Sequence, residues 1–103
     1  MAKKAKPYEA SEFLDNPEVI AEYITQALSS RKLDVFLHAV GQAAKAHGMS
    51  KLAEETGLSR ESLYKALTET GNPEFATLER VLTALGLKIV VEPASEPTNK
   101  QAA

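Results

Sequence analysis

Apolar residues recur along this chain at helical spacing almost from end to end. Ile20, Tyr23, Ile24, Ala27 and Leu28 fall at intervals that place them on one helix face. In front of them, Asn16-Pro17-Glu18 supplies an N-cap, a proline at the first helical position and an acid in the first turn. A helix over residues 17–28 is therefore predicted. Leu33, Phe36, Leu37, Val40 and Ala44 repeat the pattern after Ser29-Ser30, and Gly48 behind His47 provides a left-handed stop. Gly41 weakens this second helix by up to about 1 kcal/mol relative to alanine without breaking it. Later, Gly71-Asn72-Pro73 makes a turn, and Phe75, Leu78, Val81, Leu82 and Leu85 mark a last helix that Gly86 stops.

Between these lies GMSKLAEETGLSRESLYKAL, residues 48–67, which reads as two short helices around Gly57. Isolated helices below about 12–15 residues are marginal in water, so both must be held against the rest of the chain. Ala53 is small where the pair would cross, and Gly57 can take the positive backbone angle of a sharp corner. Ser59 is placed to cap the second helix, and Leu58, Leu63, Ala66 and Leu67 anchor it, leaving Arg60, Glu61, Tyr64, Lys65 and Thr68 outside. The pair reads as a helix-turn-helix, with donors and acceptors placed to reach base edges in a major groove. Ser50 and Lys51, at the start of the first short helix, are placed to seat a phosphate. Glu61 either stabilises the helix N-terminus or accepts from cytosine.

After the last helix the period changes. In LKIVVE, residues 87–92, Leu87, Ile89 and Val91 alternate onto one face and the centre is β-branched, which predicts a strand. No other segment has strand character, so its expected partner is the same strand of a second copy or an edge on another protein. Residues 1–8 and 93–103 lack periodicity and are expected to be disordered tails around one domain spanning residues 9–92.

The 103 residues, 44% apolar and 25% charged, suit one compact domain of five helices on a shared core. The absence of cysteine excludes disulfides, thiolate metal sites and thiol nucleophiles, and fits a reducing compartment. MAKKAKPYEA has no apolar stretch behind its basic residues, and no apolar run approaches the roughly 18 residues of a membrane span, so a cytoplasmic protein is expected. With 12 basic and 14 acidic side chains the net charge is −2, unlike most nucleic-acid binders. The charge is unevenly spread. Residues 9–22 carry Glu9, Glu12, Asp15, Glu18 and Glu22 without a base, whereas residues 31–65 carry Arg31, Lys32, Lys45, Lys51, Arg60 and Lys65 against Asp34, Glu54, Glu55 and Glu61. His38 and His47 are nine residues apart, about 900° around a helix, and project from opposite sides. Glu54-Glu55 face different directions, and no phosphate loop or serine elbow is present. Neither catalysis, a metal nor a cofactor is expected.

GMSKLAEETGLSRESLYKAL followed by GNPEFATLERVLTALGLKI resembles the Xre-type helix-turn-helix of bacterial addiction-module antidote proteins, the HigA-type antitoxins partnered by RelE/ParE-type toxins. The resemblance spans residues 16–91, and its specific part is LSRESLYKAL through GNPEFATL and ALGLK. It implies an all-α, five-helix, lambda-repressor-like domain with a C-terminal strand paired across a homodimer. It further implies a cytoplasmic repressor of its own operon that neutralises a small basic toxin. Carried across by position, Ser59, Arg60, Glu61, Ser62, Tyr64 and Lys65 correspond to the recognition helix, with Ser50 and Lys51 near phosphates. The toxin-contacting residues have no sharp motif, and charge complementarity alone points to the acidic N-terminal helix. The near-neutral charge suggests modest affinity per monomer, relieved by dimerisation or by the toxin acting as corepressor. A symmetric dimer would read an inverted repeat of double-stranded operator DNA with half-site centres about 34–36 Å apart or a multiple of that. Two other readings stay open, a stand-alone prophage-type repressor and an interaction module that has lost DNA binding.

Overall fold

The computed structural model describes residue 14, residues 16–68 and residues 70–94. Within them the chain forms five helices: α1 (Pro17–Ser29), α2 (Leu33–His47), α3 (Met49–Thr56), α4 (Arg60–Ala66) and α5 (Phe75–Ala84). The expected tail 1–8, most of the expected tail 93–103, and Glu9, Glu12 and Asp15 lie outside the described residues.

Local chemistry sets the ends of α1. The Asn16 side chain accepts from the Val19 amide at 2.9 Å, and Pro17 opens the helix where its missing N–H costs nothing. At the other end the Ser30 hydroxyl donates to the Ala27 carbonyl at 2.6 Å and the Arg31 amide to that of Leu28 at 3.0 Å. Arg31 completes this turn at φ 62°, a left-handed conformation usually left to glycine. Residues 30–32 then return the chain so that α2 packs along α1.

The core lies where the helices meet. Leu37 and Val40 of α2, Leu52 of α3, Leu63 of α4 and Val81 of α5 are fully buried, and Ile20 and Ile24 of α1 join them. Each such side chain contributes about 1.5–3 kcal/mol relative to exposure. α3 packs against α2, α4 and α5, so the eight-residue helix is braced on three sides. Tyr23 leans on this core from α1, and burial pushes its phenol above the ordinary value.

The end of α5 corrects the expected strand. Gly86, at φ 88°, donates to the Thr83 carbonyl at 2.9 Å, and the Leu87 amide donates to that of Leu82 at 2.9 Å. This is the paired arrangement of a Schellman cap, with Leu87 folding back onto the core. Leu87 is thus the end of a helix cap. No strand occurs among the described residues. Residues 87–92 have no ladder partner among the described residues, and Ile89, Val90 and Val91 stand exposed, Val91 at 92%.

Gly86 also carries a packing constraint, because a Cβ there would lie 3.2 Å from the Pro17 ring. Gly86→Ala is expected to cost about 1–2 kcal/mol through the positive φ alone. Urea unfolding measures it, and an unchanged midpoint would refute the account.

Candidate nucleic-acid interface

The turn from α3 to α4 is built from a left-handed glycine and two side-chain hydrogen-bonding groups. Gly57 leaves α3 in the left-handed region, φ 77° and ψ 11°, and its amide caps the Ala53 carbonyl at 2.9 Å. The buried Thr56 hydroxyl donates to the Leu52 carbonyl at 2.8 Å and accepts from the Leu58 amide at 3.3 Å, tying the helix to the turn. From α5, Arg80 donates to the Thr56 carbonyl at 3.4 Å, placing a cation at the negative end of α3. Ser59 then caps α4, accepting from the Ser62 amide at 3.0 Å and donating to the Ser62 hydroxyl at 2.9 Å. A seven-residue helix has little stability of its own, so these contacts and its buried stripe fix its direction.

That stripe is Leu63 and Leu67, with Ala66 and Leu58 half-buried beside them. On the other side Arg60, Glu61, Ser62, Tyr64, Lys65 and Thr68 are all exposed, as are Ser59 at the cap and Ser50 and Lys51 in the first turn of α3. Gly48 stands at the N-cap of α3 with φ 106° and ψ 116°, positive but outside the left-handed helical region expected for it. Having no side chain, it gives the first-turn amides of α3 no side-chain cap. Arg60 and Tyr64 are joined: the guanidinium Nη2 donates to the Tyr64 hydroxyl at 3.2 Å, and its carbon lies 5.6 Å from the ring centroid.

Behind α4 the geometry gives Gly41 a role that its helix propensity hides. A Cβ at Gly41 would sit 3.0 Å from the Leu67 carbonyl oxygen, so the glycine lets α2 approach the end of α4. Beside this contact runs a groove of about 230 Å³, walled by His38 and Lys45 of α2 and by Tyr64 and Thr68. Gln42 also lines it, and its buried Oε1 has no hydrogen-bond partner among the described residues. At the far end of α2, His47 Nε2 meets Glu55 Oε1 at 2.6 Å, clamping α2 to α3, while Glu54 is exposed.

Sequence reasoning missed Thr56, Arg80 and the packing role of Gly41. A threonine ending a helix before glycine is a local signal, since its hydroxyl can bond back to the preceding turn. The Arg80 contact spans 24 residues and has no such signal.

Among the described residues no group of three or more His, Cys, Asp or Glu side chains is placed to hold a metal ion. No helix there is long and apolar enough to cross a membrane. The fold is that of a small all-helical protein presenting a polar helix face. The family described as "probable addiction module antidote protein" matches residues 4–93, and the chain belongs to it. An antidote implies a toxin as its counterpart. A relative from Haemophilus influenzae, named only as an uncharacterized protein, is 40% identical over 92 residues, covering 89% of this chain and 95% of that one. No solved structure matches the chain significantly.

Two substitutions test the seating of α4. Gly41→Ala gains up to about 1 kcal/mol in helix propensity, yet it must displace the Leu67 carbonyl and is expected to lower the melting temperature. A raised one would show that the contact yields freely. Gln42→Met keeps the volume and removes the orphan oxygen, so the urea midpoint should rise by the equivalent of about 1 kcal/mol; a fall would mean that the amide is bonded in solution.

Proposed function

We propose that this chain is the antitoxin of a type II toxin-antitoxin module that binds operator DNA through α3 and α4, represses its own operon and neutralises a RelE/ParE-type toxin by direct contact. The observation that carries the DNA reading is the two-sidedness of α4. Leu63 and Leu67 hold it from within, while Arg60, Tyr64 and Lys65 face outward. In this reading α4 is the recognition helix of a helix-turn-helix in a cytoplasmic bacterial protein. Arg60 and Lys65 contact DNA, with Ser59, Glu61, Ser62, Tyr64 and Thr68 around them and Ser50 and Lys51 at a phosphate. The family supports the antitoxin half, since an antidote needs a toxin to bind. For a basic toxin, Glu18 and Glu22, exposed on α1, offer complementary charge.

The reading includes a homodimer. Leu87, Ile89 and Val91 keep the alternation of a strand, and Ile89, Val90 and Val91 expose apolar surface where the backbone has no ladder partner among the described residues. Pairing with the same segment of a second copy satisfies both and sets two α4 helices on one duplex. The domain in this account is residues 9–92.

The test is binding of the purified protein to its own upstream DNA at two salt concentrations, with and without the co-expressed neighbouring gene product. Specific binding that Arg60→Ala/Lys65→Ala abolishes and the neighbour tightens is the expected result. The Lys65 half of the loss should also reduce the salt dependence by about one phosphate contact. Specific binding indifferent to any neighbour would point to a stand-alone repressor. No specific binding in either condition would leave an interaction module.

A further inference from the structure

On the outer face of α4 one pair of side chains is already organised in the free protein. Arg60 is the first residue of the helix and Tyr64 lies one turn on, at the i+4 spacing that stacks two side chains over the same strip of surface. Tyr64 is 45% exposed, so much of its ring is seated against the protein, where it helps wall the groove between α2 and α4. A seated ring is a platform. The guanidinium rests 5.6 Å from the ring centroid and gives one hydrogen bond to the phenolic oxygen at 3.2 Å. That contact restrains both the position of the charge and the rotation of the planar group.

We propose that Tyr64 is a positioning residue for Arg60, holding the guanidinium as a preformed fork that selects guanine in the operator half-site. The proposal rests on the DNA-binding reading above and names the base that this site takes. A guanidinium has five N–H donors and no acceptor. One donor is occupied by the Tyr64 oxygen, and the remaining four still include a pair that can reach two acceptors side by side. In the major groove guanine alone offers two adjacent acceptors, N7 and O6, whereas adenine sets a donor beside its N7. An exposed arginine pays rotamer entropy when it docks, and more of that loss is already met in one held by a neighbour. Tyr64 therefore acts on discrimination between sequences, leaving the phosphate contacts unchanged.

The experiment compares the intact chain with Tyr64→Phe, Arg60→Ala and the double variant. Dissociation constants are measured on the upstream duplex and on a scrambled duplex of equal composition, across a salt series. Tyr64→Phe keeps the stack and removes the hydrogen bond. The specific-to-scrambled ratio should fall roughly 2- to 10-fold, the worth of one such bond, with an unchanged slope against salt. Arg60→Ala should lower it further, by roughly 10- to 100-fold in all. Because Tyr64 acts through Arg60, the double variant should match Arg60→Ala alone. Losses that add in the double variant would show Tyr64 reading DNA by itself and overturn the proposal. A wild type that discriminates, with Tyr64→Phe indistinguishable from it, overturns the proposal and leaves DNA binding standing. A wild type with no preference for its upstream DNA overturns both.

Discussion

Helices of eight and seven residues have no stable shape of their own in water, and this architecture is organised around that constraint. Leu52 and Leu63 are buried without remainder, and α3 is gripped by α2, α4 and α5 at once. The corner between the two helices is fastened three times over, by the left-handed Gly57, by the bridging hydroxyl of Thr56 and by Arg80 arriving from α5. What the core gains by this is rigidity on its outer side. The exposed face of α4 inherits its orientation from buried contacts that never touch a ligand.

Much of this arrangement was legible in residue spacing because its causes are local. Asn16, Pro17, Ser59, Gly57 and Gly86 act within a few residues of themselves, so the start of α1, the end of α3, the start of α4 and the end of α5 are legible from their neighbours alone. The inward and outward sides of α4 followed from periodicity in the same way. Contacts between distant segments were not legible. Gly41 read as a weakness in α2, because nothing in its neighbourhood says that the Leu67 carbonyl passes 3.0 Å from where a Cβ would be. Arg80 carries no local signal of a contact that reaches across 24 residues. The expected strand is not seen among the described residues, for a related reason. Alternation at Leu87, Ile89 and Val91 described side chains correctly, but a strand is defined by its partner, and Leu87 had a prior claim on its amide from Leu82. The expected roles of the α4 residues go further than exposure, and their spacing alone does not distinguish a reading face from a solvated one.

Electrostatics follows the same division between local and global. A net charge of −2 would argue against nucleic acid if the protein were a uniform sphere. At a Debye length of about 8 Å the charges within reach matter more than the total. Lys51, Arg60 and Lys65 are exposed on α3 and α4 together with Glu54, Glu55 and Glu61, so these cations act as single charges and not as a basic patch, while Glu18 and Glu22 belong to α1. The chain thus offers individual cations on α3 and α4 and two acids one turn apart on α1. Membership of an antidote family makes that division intelligible, because such a protein has a basic toxin to meet in the reading proposed here.

The cap on α5 has a mechanical consequence. Gly86 sits where a Cβ would come within 3.2 Å of the Pro17 ring, and Leu87 is bonded back to Leu82 and packed on the core. The exposed stretch that begins at Lys88 therefore follows directly on a residue, Leu87, that is anchored to the last turn of α5. A load applied to Ile89–Val91, by whatever grips them, would pass directly into α5 and through Arg80 to the corner that aims α4. The helix cap is in this sense the point at which any pull on that segment would enter the domain.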